Sequence, residues 1–235
     1  MEIIPTILVE KFDEAKERIK QVEDYVNWVQ LDIMDGVFVN NETWPYAEGK
    51  ISDLKELKTK VHPVKSSKGG IAKQSFNRVK LEAHLMVQEP EKVIDDWLEV
   101  VDRVIIHFES KITNRELGIR DLIKKVHSQK KQIGLAINPE THIAAATPFL
   151  KDLDLVLVMT VQPGWGGQEF KEWTLDKIKF LRDKWSNGNI EVDGGVNDEN
   201  IKKVIKAGAN LICVNTYIFR SRNVKEAIER LKKLT

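Results

Sequence analysis

The chain has 235 residues, and its 37 Lys and Arg nearly balance its 36 Asp and Glu, for a formal charge of +1. That balance excludes the broad basic face of a nucleic-acid binder or a polybasic membrane-surface protein, and 42% apolar residues exclude a disordered chain. The length suffices for a sizeable core, and Cys213, the sole cysteine, excludes an internal disulfide framework and suits a reducing, cytoplasmic compartment.

The first β-rich run is 3–8, carrying Thr6. No basic region precedes it, and Glu10, Asp13 and Glu14 follow, so it does not read as a secretory leader. No apolar run reaches the ~18 residues of a membrane-spanning helix. An amphipathic helix is predicted over 13–23 and a strand over 28–33, ending in Gln30-Leu31-Asp32-Ile33-Met34-Asp35-Gly36. The stretch 62–77, rich in Ser, Gly and Lys, reads as an exposed insertion; it lacks P-loop spacing.

Strand 81–87 brings His84 and Met86, and helix 90–100 follows. Strand 103–107 ends at His107, just before Glu109, and leads to helix 114–128. Strand 133–137 runs to Asn138. Strand 155–159 ends at Met159 and enters Gln162-Pro163-Gly164-Trp165-Gly166-Gly167, followed by helix 172–185. Strand 190–192 enters Asp193-Gly194-Gly195 before helix 198–206. Strand 211–214 leads to Asn215-Thr216, and helix 224–234 closes the chain.

Short, almost continuously apolar strands alternating with helices predict a parallel α/β fold. Eight such units in 235 residues fit a single (β/α)8 TIM barrel over 1–235, since such barrels take about 250 residues. An open doubly wound sheet would carry a glycine fingerprint after its first strand, where this chain has Val9-Glu10-Lys11.

A barrel of this kind builds its site at the C-terminal strand ends. Alternation puts Gln30, Asp32 and Met34 on one face and leaves Asp35 to brace the turn. Asp32 and Asp193 stand three strands apart around the ring and can act as base and acid. A lone aspartate there would usually be a cap; the company of His84, Gln30 and glycine loops favours function. Asp32, His84 and Asp193 can also ligate one divalent ion, with the Gln30 amide oxygen as a weaker fourth ligand. His84 alone would read as a hydrogen-bonded core histidine, and His107 stands at even odds between core and function. His62, His127 and His142 read as surface residues. Gly164, Gly166, Gly167, Gly194 and Gly195 can turn backbone N–H groups toward an anion, and Asn215 and Thr216 would add side-chain donors. Met34, Met86 and Met159 all fall at strand ends, where methionine is more than core filler.

Over nearly its whole length the chain resembles the ribulose-phosphate 3-epimerase family. The matching segments are PTIL, LDIMDGVFVNN, EAHLMVQEPE, GLAINPET, VLVMTVQPGWGGQEF, IEVDGGV and AGANLICVN, in that order. The resemblance implies a ribulose-phosphate-binding barrel with one divalent metal (zinc, iron or manganese). It implies interconversion of D-ribulose 5-phosphate and D-xylulose 5-phosphate, a pentose phosphate pathway step, through a cis-enediolate. Asp32 and Asp193 would be the acid/base pair, and His84 a metal ligand. Thr6 would contact substrate, and Met34, Met86 and Met159 would line its pocket. Gly164, Gly166, Gly167, Gly194 and Gly195 would form the phosphate and substrate loops.

Four residues depart from the family pattern, and the 62–77 insertion is longer than the family norm. Gln30 replaces the family's other metal-binding histidine, Asn215-Thr216 replace a phosphate-contacting Gly-Ser, and Val37 replaces a histidine. Two other readings therefore stand beside the first: a ketohexose-phosphate (allulose 6-phosphate) 3-epimerase, and a barrel that binds a phosphosugar without catalysis. The expected partner is a phosphorylated ketose, with no nucleic acid and no membrane; homo-oligomerisation is left open.

Overall fold

The computed structural model describes residues 1–58 and 79–235, so the expected insertion over 62–77 lies outside the described residues. The chain runs β1 (Glu2–Ile7), α1 (Phe12–Val22), β2 (Trp28–Met34), a 3-10 turn (Ile51–Leu54) and α2 (Lys55–Lys58). It continues with β3 (Lys80–Met86), α3 (Ile94–Leu98), β4 (Arg103–His107), α4 (Arg115–Ser128) and β5 (Gln132–Ile137). A 3-10 segment (Ile143–Phe149) then leads to β6 (Leu155–Met159) and α5 (Leu175–Lys184). The last units are β7 (Asn189–Asp193), α6 (Ile201–Ala207), β8 (Leu211–Val214), α7 (Thr216–Phe219) and α8 (Val224–Leu234). The eight strands are all parallel, pair in sequence order and close on themselves through β1 and β8, making a single (β/α)8 barrel. Among the described residues no helix is long and apolar enough to cross a membrane.

Closure sorts the strand residues into two cores. One alternate set, including Ile3, Leu31, Ile33, Ala83, Val104, Val156 and Val192, packs outward against the helices in the large apolar cluster. The other set fills the barrel with Ile4, Trp28, Ile105, Ala136, Leu155, Leu157, Met159 and Leu211. Each buried large aliphatic or aromatic side chain contributes roughly 1.5–3 kcal/mol relative to exposure, so this double layer is the main stabilising term. Gly134 serves this packing: a Cβ there would come within 2.5 Å of the Leu155 side chain and 3.1 Å of Ile105.

The predicted strands and helices are all present, with shifted ends. The stretch expected as helix 90–100 is a 3-10 turn (Pro90–Lys92) followed by α3, and the one expected from 172 opens as a 3-10 turn (Glu172–Thr174) before α5. The helix expected from 198 begins at Ile201. There the Asn197 carboxamide oxygen accepts from the backbone N–H of Glu199 and Asn200, which holds an Asx turn instead of a first helical turn. The short helices after β5 and β8 carry too few residues to show a 3.6-residue period.

Parallel register sets the height of each side chain. Asp32 is level with His84, Met34 with Met86, Thr6 with Gln30, and Met159 with Asp193. The polar interior residues thus stack in layers toward the C-terminal mouth.

Candidate active site

Asp32 on β2 and Asp193, the last residue of β7, converge at the floor of the mouth. One ligand atom each from Asp32, His84 and Asp193 lies within 4.8 Å of the other two. Gln30, completely buried one layer down, holds the trio together. Its Nε2 donates one hydrogen bond to Asp32 Oδ1 and another to Asp193 Oδ2, both at 2.8 Å.

The orientation of this amide corrects one expectation. Gln30 was expected to offer its oxygen as a fourth metal ligand, but the nitrogen faces the cluster. An amide N–H group is a donor with no lone pair for a metal. The amide oxygen points down instead, 3.3 Å from the Cys213 thiol. Asp32, His84 and Asp193 therefore form a possible ligand cluster, but the donor set does not fit the implied divalent ion while Gln30 is turned this way.

The charges around the trio follow from burial and neighbours. Burial, reinforced by the Asp193 charge, raises Asp32 to about 6, against the pull of hydrogen bonds from His84 and Gln30. Burial opposes the His84 cation, yet hydrogen bonds to Asp193 and Asp32 outweigh it and lift His84 to about 9. His84 Nδ1 lies 3.2 Å from Asp32 Oδ1, and its Nε2 meets His107 Nε2 at 2.8 Å. Burial lowers His107 to about 4, so it stays neutral and accepts from His84. The remaining His107 proton then sits on Nδ1, 3.3 Å from Glu109 Oε2. His107, open in the sequence, is thus the second member of a line from the carboxylates to Glu109, braced by the Phe38 ring, tilted at 46° with its centroid 4.8 Å away.

A second polar layer lies beneath Gln30 that sequence reading did not find. Arg103 Nη1 donates to Glu82 Oε2 at 2.5 Å, stands 3.7 Å from Glu191 Oε2 and stacks 3.9 Å over the Trp28 ring. Glu82 and Glu191 are fully buried. Burial and the neighbouring Glu82 charge push Glu191 well above the usual carboxylate range. One guanidinium thus faces two buried carboxyls, both raised by burial against its pull. The sequence signal available was the odd presence of Glu82, Arg103 and Glu191 inside apolar strands.

Above the carboxylates opens a cavity of about 300 Å³. Thr6, Met86, Met159, Asn215, Thr216 and the loops 164–167 and 193–197 line it. Met34 is fully buried and outside the lining; its backbone N–H donates to the Thr43 hydroxyl. His84 also lies beneath the lining, fully buried. The 193–195 turn is anchored through its carbonyls: Thr160 N–H donates to Asp193 O at 2.8 Å, and Asn200 Nδ2 to Gly195 O at 2.9 Å. Gly195 has φ +67°, and a Cβ there would stand 2.8 Å from Phe170 N, so this turn needs glycine. Asn215, expected as a side-chain donor to the anion, instead donates from Nδ2 to the Thr6 carbonyl at 2.9 Å and ties β8 to β1.

The remaining expected residues lie where their chemistry predicts. Asp35 Oδ1 accepts from Val37 and Phe38 N–H, and its Oδ2 from Gln88 N–H, bracing the loop after β2. His127 pairs with Asp154 at the surface, and His142 caps the backbone of Ala144. His62 lies outside the described residues.

Known proteins place this geometry. A profile described as the ribulose-phosphate 3 epimerase family matches residues 2–66 and 69–219. A ribulose-phosphate 3-epimerase of Schizosaccharomyces pombe is 32% identical, over 98% of this chain and 92% of its own length. One from Bacillus subtilis is 32% identical over 99% and 98%, and a chloroplastic ribulose-5-phosphate-3-epimerase of Arabidopsis thaliana 34% over 98% and 75%. Among solved structures, 3-keto-L-gulonate-6-phosphate decarboxylase from Vibrio cholerae superposes with a TM-score of 0.71 at 12% identity, covering 99% of this chain and 96% of its own. A 3-hexulose-6-phosphate synthase superposes at 0.70 and 18%, covering 100% and 99%. At those identities the structural likeness speaks for the barrel alone, whereas the sequence matches span almost every residue, from the PTIL strand to the end of β8. On that ground the chain belongs to the ribulose-phosphate 3-epimerase family.

Proposed function

We infer that this chain interconverts D-ribulose 5-phosphate and D-xylulose 5-phosphate by inverting C3. The observation that carries the reading is the convergence of Asp32 and Asp193, from β2 and β7, below a cavity walled by glycine loops, in a chain of this family. The sugar phosphate would seat its anion at the loops 164–167 and 193–197, leaving C3 over the two carboxyl groups. The ionised carboxylate removes the C3 proton, and the electron pair of that bond moves to the C2 oxygen as an enediolate. The protonated carboxyl then returns a proton to the opposite face, the electron pair moves back to C3, and the two aspartates have exchanged roles. Met86 and Met159 present an apolar wall to the planar intermediate.

No step here passes through a divalent ion, because Gln30 turns a donor toward the carboxylates. The neutral amide also supports the reading of a non-catalytic barrel, so activity must be measured directly. Incubation with D-ribulose 5-phosphate in deuterated water is the test: D-xylulose 5-phosphate deuterated at C3 is expected, and no product and no exchange would sink the reading. Asn215 and Thr216 line the cavity with larger side chains than glycine and serine, which supports the shorter pentose over allulose 6-phosphate. Comparing kcat/KM for the two sugars decides between them. The single buried thiol supports the expected cytoplasmic location.

A further inference from the structure

We propose that the Gln30 carboxamide occupies the place of the divalent ion and makes this site metal-excluding, its two carboxylates bridged by an amide in place of a cation. Three geometric observations carry this. First, Gln30 Nε2 lies 2.8 Å from Asp32 Oδ1, 2.8 Å from Asp193 Oδ2 and 3.5 Å from His84 Nδ1, so one nitrogen stands among all three atoms that would ligate an ion. Ligand bonds to zinc are about 2.0–2.2 Å long, so an ion cannot join the same three atoms without displacing that NH2 group.

Second, both amide hydrogens are committed. Each carboxylate keeps a charge-assisted hydrogen bond that an incoming ion would have to break. Third, the amide is held the right way round. Its two hydrogens meet Asp32 Oδ1 and Asp193 Oδ2, so its Oε1 is turned away from them toward the Cys213 sulfur at 3.3 Å, whose single proton has a nearer acceptor in Glu191 Oε1 at 3.1 Å. Turning the amide to offer Oε1 to a metal would lose both carboxylate bonds and set Oε1 against two carboxylate oxygens. Gln30 is fully buried, so water cannot stabilise the turned form. Beside His84, the amide gives each of the two carboxylates a further hydrogen bond without adding charge.

The proposal concerns the same site as the epimerase reading, but its test is separable from activity. The full-length protein is stripped with a chelator, dialysed and titrated with Co²⁺, followed by calorimetry and by the visible d–d absorption of bound cobalt. The wild type is expected to show no stoichiometric uptake. Gln30→His, which supplies an imidazole lone pair, is expected to take up one equivalent, at least ~10-fold more tightly. Gln30→Ala, which only removes the bridge, is expected to bind Co²⁺ more tightly than the wild type. Stoichiometric binding by the wild type overturns the proposal, as does a Gln30→Ala variant no better than the wild type. Should Gln30→His fail to fold, the other two titrations still decide. Turnover of D-ribulose 5-phosphate by stripped wild type is expected to equal that of untreated protein, and a collapse restored by added metal overturns the proposal. Absence of turnover with and without metal sinks the epimerase reading, and the cobalt titration still decides metal exclusion.

Discussion

His84 and His107 meet nitrogen to nitrogen at 2.8 Å, in nearly stacked rings 4.9 Å apart, with their pKa values moved in opposite directions. The same burial acts on both. Two carboxylates beside His84 reverse its effect there, while Glu109 alone does not at His107. The pair links the carboxylate cluster to Glu109 in a single proton arrangement.

This pair makes stability depend on pH. A histidine raised from 6.5 to about 9 stabilises the fold fully below pH 6.5, and that contribution is lost as pH rises through about 9. The shift corresponds to on the order of 3 kcal/mol. Urea unfolding of the wild type should give a lower free energy at pH 9.5 than at pH 6.5, with the slope largely absent in His84→Gln. A flat wild-type profile would contradict a cationic His84.

Removing either carboxylate should stop epimerisation. Asp32→Asn and Asp193→Asn are each expected to lower turnover of D-ribulose 5-phosphate by ~10²–10⁴-fold with the circular dichroism spectrum unchanged. Because the two groups address opposite faces, each variant should still exchange the C3 proton of one epimer with deuterated solvent. Equal residual exchange of both epimers in both variants would show that the aspartates do not divide the faces.

The glycine loops should separate folding from binding. Gly195→Ala places a Cβ 2.8 Å from Phe170 N and 2.9 Å from Gln168 O at φ +67°, so a loss of roughly 1–3 kcal/mol is expected in thermal unfolding. At Gly166 a Cβ would meet Thr216 Oγ1 at 3.6 Å and Asn215 Oδ1 at 4.0 Å, both ordinary van der Waals contacts. Gly166→Ala should keep its Tm and raise KM, since the methyl group projects to the phosphate end. An unchanged KM would place the anion elsewhere.

The buried Arg103 network should be costly to break. Arg103→Met leaves Glu82 and Glu191 without their cation, and unpaired buried charge costs roughly 3–5 kcal/mol. Both carboxyls are raised by burial, so the loss should shrink as pH falls and they protonate. Chemical unfolding at pH 7.5 and pH 5.5 measures this; an equal loss at both values would mean that Arg103 acts through packing on Trp28.

The chain's own pattern of apolar runs and helical stretches determined the closed parallel barrel. Each strand of β1 to β8 is short, apolar and followed by a chain-reversing segment, and one inward face per strand is dictated by two-residue alternation. The same alternation put Gln30 beside Asp32 and marked Met34, Met86 and Met159 as strand ends, although burial left Met34 out of the cavity. Sequence could not say which end of the Gln30 amide faces the carboxylates. That choice rests on Asp193, from the far side of the ring, which together with Asp32 takes both amide hydrogens. Nor could it pair His84 with His107 or seat Arg103 between two glutamates, because such contacts exist only where closure brings inward side chains to one height. Tertiary structure decided the protonation states as well, since these follow from burial and from neighbours supplied by other strands.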